Sequence, residues 1–278
     1  MSAYSDLSRI FTTSFVRQLL ASKHGVFTKE LSKEFSFVKE AESNQDYRLL
    51  FERGYDVLME NYRCEYIYKS EIYGNIKKKC QKRKKSGVLT EVRSGKSVAD
   101  LLWLNGTSIA YEIKTEIDSN RRLLSQINSY SQLFKETVVV SYENNLELIT
   151  KNLPSDVGIM FLDKRGKLKV YRESQERTDN LNPELMFMTL RRTEYENTIQ
   201  EAFGYIPNVS DAFIYEECYK LFKALPPLTA HDFMVKQLKN RGKINIEECS
   251  NWPKSVSFLL ERGGLKRTEI IEFGRWIH

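Results

Sequence analysis

The 278-residue chain is 41% hydrophobic and 29% charged, with a formal net charge of +6 and a pI near 8.9, so it can build one large domain or a core with helical additions and suits a nucleic-acid partner without requiring one. No apolar run approaches the roughly 18–20 residues that span a bilayer, and the first twenty residues carry Asp6, Arg9 and Arg17 in place of a secretory pattern. The four scattered cysteines and three histidines lack zinc-ligand spacing and leave little for a His-driven triad, so the expectation is a cytoplasmic protein with reduced thiols and no membrane partner.

In chain order, Leu7, Ile10, Phe11, Phe15, Leu19 and Leu20 recur three to four apart and predict helix over 4–40, with Leu31, Phe35 and Phe37 in a second short helix. A long helical stretch follows over 46–80, bent or interrupted at Gly54. Its end merges into Lys77-Lys78-Lys79-Cys80-Gln81-Lys82-Arg83-Lys84-Lys85, seven positive charges in nine positions. Such a run is either a solvated helix end or a non-specific, salt-dependent contact with phosphates.

From residue 88 the period changes. Val88–Arg93, Val98–Leu104 and Ser108–Lys114 read as three strands joined by Ser94-Gly95-Lys96 and by the hairpin signal Asn105-Gly106. A helix is predicted over 119–134, capped by Asp118 or Ser119, then a buried strand Thr137–Ser141, a helix near 143–152, a strand Gly158–Leu162 and an edge strand Lys167–Tyr171. Beyond about 175 the chain reads as helical. That order describes an α/β fold, a mixed central sheet flanked by helices. The expected organisation is an N-terminal helical accessory (1–45), a core (46–175) and a C-terminal helical region (176–278).

Residues two apart on a strand share a face, so Glu112 and Lys114 point the same way while Tyr111 and Ile113 point oppositely. An acid and a base amid apolar residues is costly to bury unless paired or metal-bound, and Asp100 stands in an apolar run on the neighbouring strand. A two-residue loop would leave Asp100 and Glu112 on opposite faces. A three-residue loop of Leu104-Asn105-Gly106, pairing Trp103 with Thr107 and Asp100 with Ala110, makes them diagonal neighbours on one face. That loop is the expectation, with Gly106 at positive φ. Two carboxylates are hard ligands for Mg²⁺ or Mn²⁺, and Lys114 beside the ion would orient a water or stabilise a pentacovalent phosphate. The plainer reading is a salt bridge across a hairpin.

The segment Glu91-x8-Asp100-x11-Glu112-Ile113-Lys114 resembles the PD-(D/E)XK nuclease superfamily, with Ala99 where the superfamily's name implies proline. The resemblance implies a restriction-endonuclease-like core, Asp100 and Glu112 as metal ligands and Lys114 as the catalytic lysine. Gln126 and Tyr130 form a Gln-x3-Tyr pair resembling the RecB-type branch, which implies that both support catalysis or the substrate. Arg122, Gln126 and Tyr130 lie four apart on one helical face, and Leu123, Ile127 and Phe134 would pack on the sheet. Glu65 and Glu91 are candidates for a further metal-binding acid. Residues 62–162, through Tyr62–Lys69, Tyr111–Asp118 and Val157–Leu162, also resemble the sce-type family of bacterial PD-(D/E)XK proteins, which brings no substrate with it.

The reading is thus a Mg²⁺- or Mn²⁺-dependent deoxyribonuclease acting on DNA in phage defence, restriction or repair. Arg122 and Lys77, Lys78, Lys79, Lys82, Arg83, Lys84 and Lys85 would contact nucleic acid. The helical ends would serve a homodimer or a partner protein. The alternative is a non-catalytic nucleic-acid-binding or regulatory protein on a nuclease-like fold.

Overall fold

A computed structural model describes residues 2–80, 86–242, 252–261 and 264–277. Two compact units share the chain, Met1–Gln81 with Lys164–Leu168 and Asn245–His278, and Lys82–Asp163 with Lys169–Ile244. They cut across the expected blocks, because helices from both ends of the chain join the first unit.

In the first unit the predicted helix over 4–40 is four short helices, α1 (Ala3–Ser8), α2 (Thr13–Leu20), α3 (Gly25–Leu31) and α4 (Ser36–Asn44). Thr12 is one reason for the division: in extended conformation it accepts the Phe15 N–H at 3.2 Å and starts a new helix. Asp46 caps α5 (Tyr47–Asn61) in the same way, through the Leu49 N–H at 2.9 Å. Helix α5 runs through Gly54, so of the expected bend or interruption there the interruption is absent. A Cβ at Gly54 would stand 2.7 Å from Ile10 Cδ1, so the glycine serves close helix packing. The chain turns instead at 62–64 and resumes as α6 (Glu65–Cys80). Phe11 stacks on Tyr66 with ring centroids 4.5 Å apart and meets Phe51 edge-on at 5.7 Å. Tyr66, Tyr68 and Tyr73 are buried, the packing role their spacing allows.

The second unit holds most of a six-stranded mixed sheet in the order β1 (Gly87–Ser94), β2 (Ser97–Leu104), β3 (Ser108–Ile113), β4 (Glu136–Tyr142), β5 (Gly158–Leu162), β6 (Leu168–Arg172). The first three strands form an antiparallel meander, and β3–β4 and β4–β5 pair in parallel. The flanking helices of this unit are α7 (Leu123–Tyr130), α8 (Leu146–Asn152), α9 (Pro183–Phe187), α10 (Arg192–Phe203), α11 (Asp211–Lys223) and α12 (Pro227–Arg241). Leu102, Leu104, Ala110, Val139 and Ile159 of the sheet join Leu123, Ile127, Tyr130 and Phe134 in one buried cluster, as the helical periodicity predicts. The edge of β1 is closed by the end of α12, where Gly242 C=O accepts the Val88 N–H at 2.8 Å. Two later helices, α13 (Lys254–Glu261) and α14 (Arg267–Ile277), return to the first unit. No helix among the described residues is long and apolar enough to cross a membrane.

One buried polar pair ties α12 to the sheet. His231 Nε2 lies 2.8 Å from Ser108 Oγ at the start of β3, and the Lys135 N–H donates to the same oxygen at 3.0 Å. Burial outweighs the neighbouring Asp232 and lowers the His231 pKa below its ordinary 6.5. The unfolded chain therefore takes up a proton near 6.5 that the fold refuses, and stability must fall as pH drops through about 6.5 toward the depressed value. Urea midpoints measured from pH 7.5 to 5 are expected to decline, with a shallower decline in His231→Gln. Equal slopes would exclude His231 as the cause.

Candidate active site

The β2–β3 hairpin sets the geometry. Leu104 pairs with Ser108, Trp103 with Ile109, Leu102 with Ala110 and Leu101 with Tyr111. The loop is therefore Asn105-Gly106-Thr107, one residue later than expected, with Gly106 at φ +117°. Leu104 is fully buried and stays in the ladder, while Asn105 holds the turn by donating its N–H to Thr107 C=O at 3.2 Å. The expected pairing of Asp100 with Ala110 is thereby corrected. The observed register ends at Leu101 and Tyr111, and beyond it Asp100 reaches β3 through its side chain.

Here the strands depart from regular pleating. On β1 and β2 the register runs unbroken on both sides of Glu91 and Asp100, but those two form no pair of their own. Glu91 has φ +55°, a left-handed conformation costing a side-chain-bearing residue about 1 kcal/mol or more. Val92 and Ala99 lie in the same buried cluster as Leu102 and Leu104, although Ala99 and Leu102 are three residues apart. Both strands therefore slip their alternation by one at this point. The Asp100 carboxylate turns along the sheet, and its Oδ2 accepts the Ile113 N–H at 2.6 Å where the backbone ladder has ended.

Glu112 is 2% exposed. Its Oε1 accepts from Lys114 Nζ at 2.8 Å and its Oε2 from the Tyr130 hydroxyl at 2.5 Å. Lys114 Nζ also donates to Gln126 Oε1 at 3.0 Å. The Tyr130 oxygen lies 2.8 Å from Val98 C=O, so its one hydrogen has two acceptors. Tyr130's pKa is held far above the phenol range, first by burial, then by the Glu112 charge and hydrogen bond and by the Asp100 charge, against a hydrogen bond from Gln126. The hydroxyl thus stays protonated and lies within the field of both carboxylates. Asp100, Glu112, Lys114, Gln126 and Tyr130, chosen from spacing and resemblance, come together in the second unit.

The other candidates are distributed differently. Glu91 is exposed on β1, at the position where the register with β2 skips a pair. Glu65 belongs to the first unit, where it forms an ion pair with Lys69. Arg122 is exposed at the residue before α7, one turn ahead of Gln126. Ser119, not Asp118, caps the 3-10 turn that leads into α7, accepting the Arg121 N–H at 3.3 Å. Asp118 instead accepts from the Thr115 N–H and hydroxyl at 2.9 and 2.7 Å. Lys77 donates to Ser257 Oγ at 3.0 Å and to Glu261 at 3.1 Å, whereas Lys78 and Lys79 are exposed. Lys82, Arg83, Lys84 and Lys85 lie outside the described residues.

Spacing alone missed three residues behind Lys114. The Ser141 hydroxyl donates to Lys114 C=O at 2.8 Å, Asn145 Nδ2 donates to Ser141 Oγ at 2.9 Å, and Asn120 Nδ2 donates to Asn145 Oδ1 at 3.0 Å.

No group of three or more His, Cys, Asp or Glu side chains among the described residues is arranged to hold a metal ion. The two carboxylates that do converge suit Mg²⁺ or Mn²⁺, since such ions are commonly held by one or two carboxylates and complete their shell with waters and substrate phosphate. Each carboxylate oxygen of Glu112 keeps a lone pair beyond the one its partner uses.

The fold and site define a mixed-sheet α/β protein with an acid–lysine–amide–phenol cluster where its meander meets α7. A family profile described as bacteriophage P4 protein cII matches residues 59–249, more than half of the 278 residues. The chain belongs to that family. No curated protein matches it. Among solved structures, the SPO1766 protein of unknown function from Silicibacter pomeroyi is 14% identical, covers 41% of this chain and 77% of its own, and superposes with a TM-score of 0.29, too slight a likeness to carry an argument.

Proposed function

We propose that the protein is a PD-(D/E)XK-type, Mg²⁺- or Mn²⁺-dependent nuclease that hydrolyses phosphodiester bonds in DNA. One observation carries the reading: a carboxylate 2% exposed, held between an ammonium and a phenol, with a second carboxylate, Asp100, bonded to the backbone of the next residue, Ile113, and acting on the same phenol. Asp100 and Glu112 would hold the ion, which when bound supplies Lewis-acid polarisation of a phosphate oxygen. Lys114, kept in place by Glu112 and Gln126, would orient the attacking water and stabilise charge on the phosphate as the phosphorus–oxygen bond to the leaving group breaks. Tyr130 fixes the Glu112 carboxylate, and Gln126 joins Tyr130 to Lys114. Restriction, repair and phage defence all employ this reaction.

The test is nicking of supercoiled plasmid with Mg²⁺ or Mn²⁺, against Asp100→Ala, Glu112→Ala and Lys114→Ala. Metal-dependent nicking by the wild type and its loss in all three variants is the expected result; equal nicking by all four proteins would reject the site. One observation favours a second reading, a nucleic-acid-binding protein without hydrolysis: every oxygen of Glu112 already has a partner inside the chain. DNA binding without nicking under any divalent ion would select it.

Arg122 would lie against the DNA backbone, while Lys77 is held by Glu261 and Ser257. Plotting log affinity for duplex DNA against log salt concentration, Arg122→Ala is expected to flatten the slope by about 0.9, one phosphate contact, and Lys77→Ala to leave it unchanged. The reverse pattern would place the DNA path along α6.

A further inference from the structure

Asn145 ends the 3-10 turn Glu143–Asn145 that runs into α8, itself in right-handed helical conformation, and its side chain does not cap that helix. It is 5% exposed and turned inward. Its amide donates to Ser141 Oγ, its carbonyl accepts from Asn120, and Ser141, fully buried on β4, donates to Lys114 C=O. The donors run one way. Because Asn145 donates to the Ser141 oxygen, the serine hydrogen is left for the Lys114 carbonyl. The Lys114 N–H is also bound, to Val140 C=O at 2.9 Å. The backbone of Lys114 is therefore fastened on both sides just past the end of β3, and Asn120 fastens the same chain to the turn entering α7, which carries Gln126 and Tyr130.

We propose that Ser141 and Asn145 are positioning residues that set the Lys114 ammonium against Glu112 and Gln126. The inference rests on the nuclease reading for its consequence in catalysis and on the geometry alone for its consequence at Lys114. Reversing the chain is the informative change. In Asn145→Asp the introduced carboxylate still accepts from Asn120 but cannot donate, so the serine hydroxyl turns toward it and the Lys114 carbonyl loses its donor. Ser141→Ala removes that donor without introducing charge, and covers the case in which the aspartate variant does not fold.

The experiment uses full-length protein labelled with ¹³C at lysine Cε, the Lys114 resonance being the one absent from Lys114→Arg. Both variants are expected to shift it in the folded protein, and plasmid nicking is expected to show kcat lowered about tenfold with KM within about twofold. A Lys114 resonance unmoved in folded Ser141→Ala, whatever its melting temperature, would overturn the proposal. A wild type that never nicks DNA, with the resonance shifted in the variant, would sink the nuclease reading and leave the positioning role standing.

Discussion

Lys114→Met is expected to destabilise the protein by about 3–5 kcal/mol, and Glu112→Gln by a similar amount, while the double variant costs less than either. The side chains are 9% and 2% exposed and lie 2.8 Å apart, so removing one charge strands the other away from water. The partners left behind cannot compensate equally. Without Lys114, Glu112 keeps only the Tyr130 hydroxyl. Without the Glu112 charge, the ammonium is left with neutral acceptors, the Gln126 oxygen at 3.0 Å and the single oxygen of the introduced glutamine, for which Tyr130 competes. In the double variant the introduced glutamine can still accept from Tyr130, and methionine fills most of the lysine's volume. Urea unfolding of the four proteins closes the cycle. Strictly additive losses would show that the two groups do not stabilise one another, and the site would lose its central contact.

Much of this site was legible because it depends on short periods. Alternation along a strand puts Glu112 and Lys114 on one face, and a spacing of four puts Gln126 above Tyr130 on α7. Neither inference needs long-range information. The α/β class followed from the same alternation of periods, and all six strands were placed within two residues of their bounds. The hairpin register came out two places off in its sum because the turn signal of Asn105-Gly106 does not say which neighbour completes the loop. Burial decides it, since Leu104 gains more inside the ladder than in a turn. The slip at Glu91 and Asp100 left no mark, because Val98–Leu104 is apolar nearly throughout and Glu91 is no glycine. The Ser141–Asn145 chain was out of reach for another reason: it meets Lys114 only through the parallel pairing of β3 with β4 across 27 residues. In sequence, Asn145 reads as an ordinary residue at a helix start. The division into units was equally hidden, because a helix pattern does not name the surface its apolar face will meet.

Asp100 offers the sharpest separation of structure from chemistry, because its carboxylate has one observed role and one proposed role that substitution can part. The Oδ2 atom accepts the Ile113 N–H at 2.6 Å, a bond that an asparagine oxygen can also make. Asp100→Asn is therefore expected to keep stability within about 1 kcal/mol of the wild type, whereas Asp100→Ala leaves the Ile113 amide without its acceptor and costs about 1–3 kcal/mol. Chemistry should follow charge. Asp100→Asn is expected to weaken Mn²⁺ binding, measured by calorimetry on the DNA-free protein, by at least tenfold, and to slow plasmid nicking on the order of a thousandfold, about 4 kcal/mol of transition-state stabilisation. A mere strand cap would give the opposite ranking, with the asparagine variant close to wild type in every assay and only the alanine variant impaired. Unchanged Mn²⁺ affinity and nicking in Asp100→Asn would therefore remove Asp100 from the metal site. Glu112 would then be the sole carboxylate of the converged cluster left to hold an ion, and the two-carboxylate site would have to be abandoned.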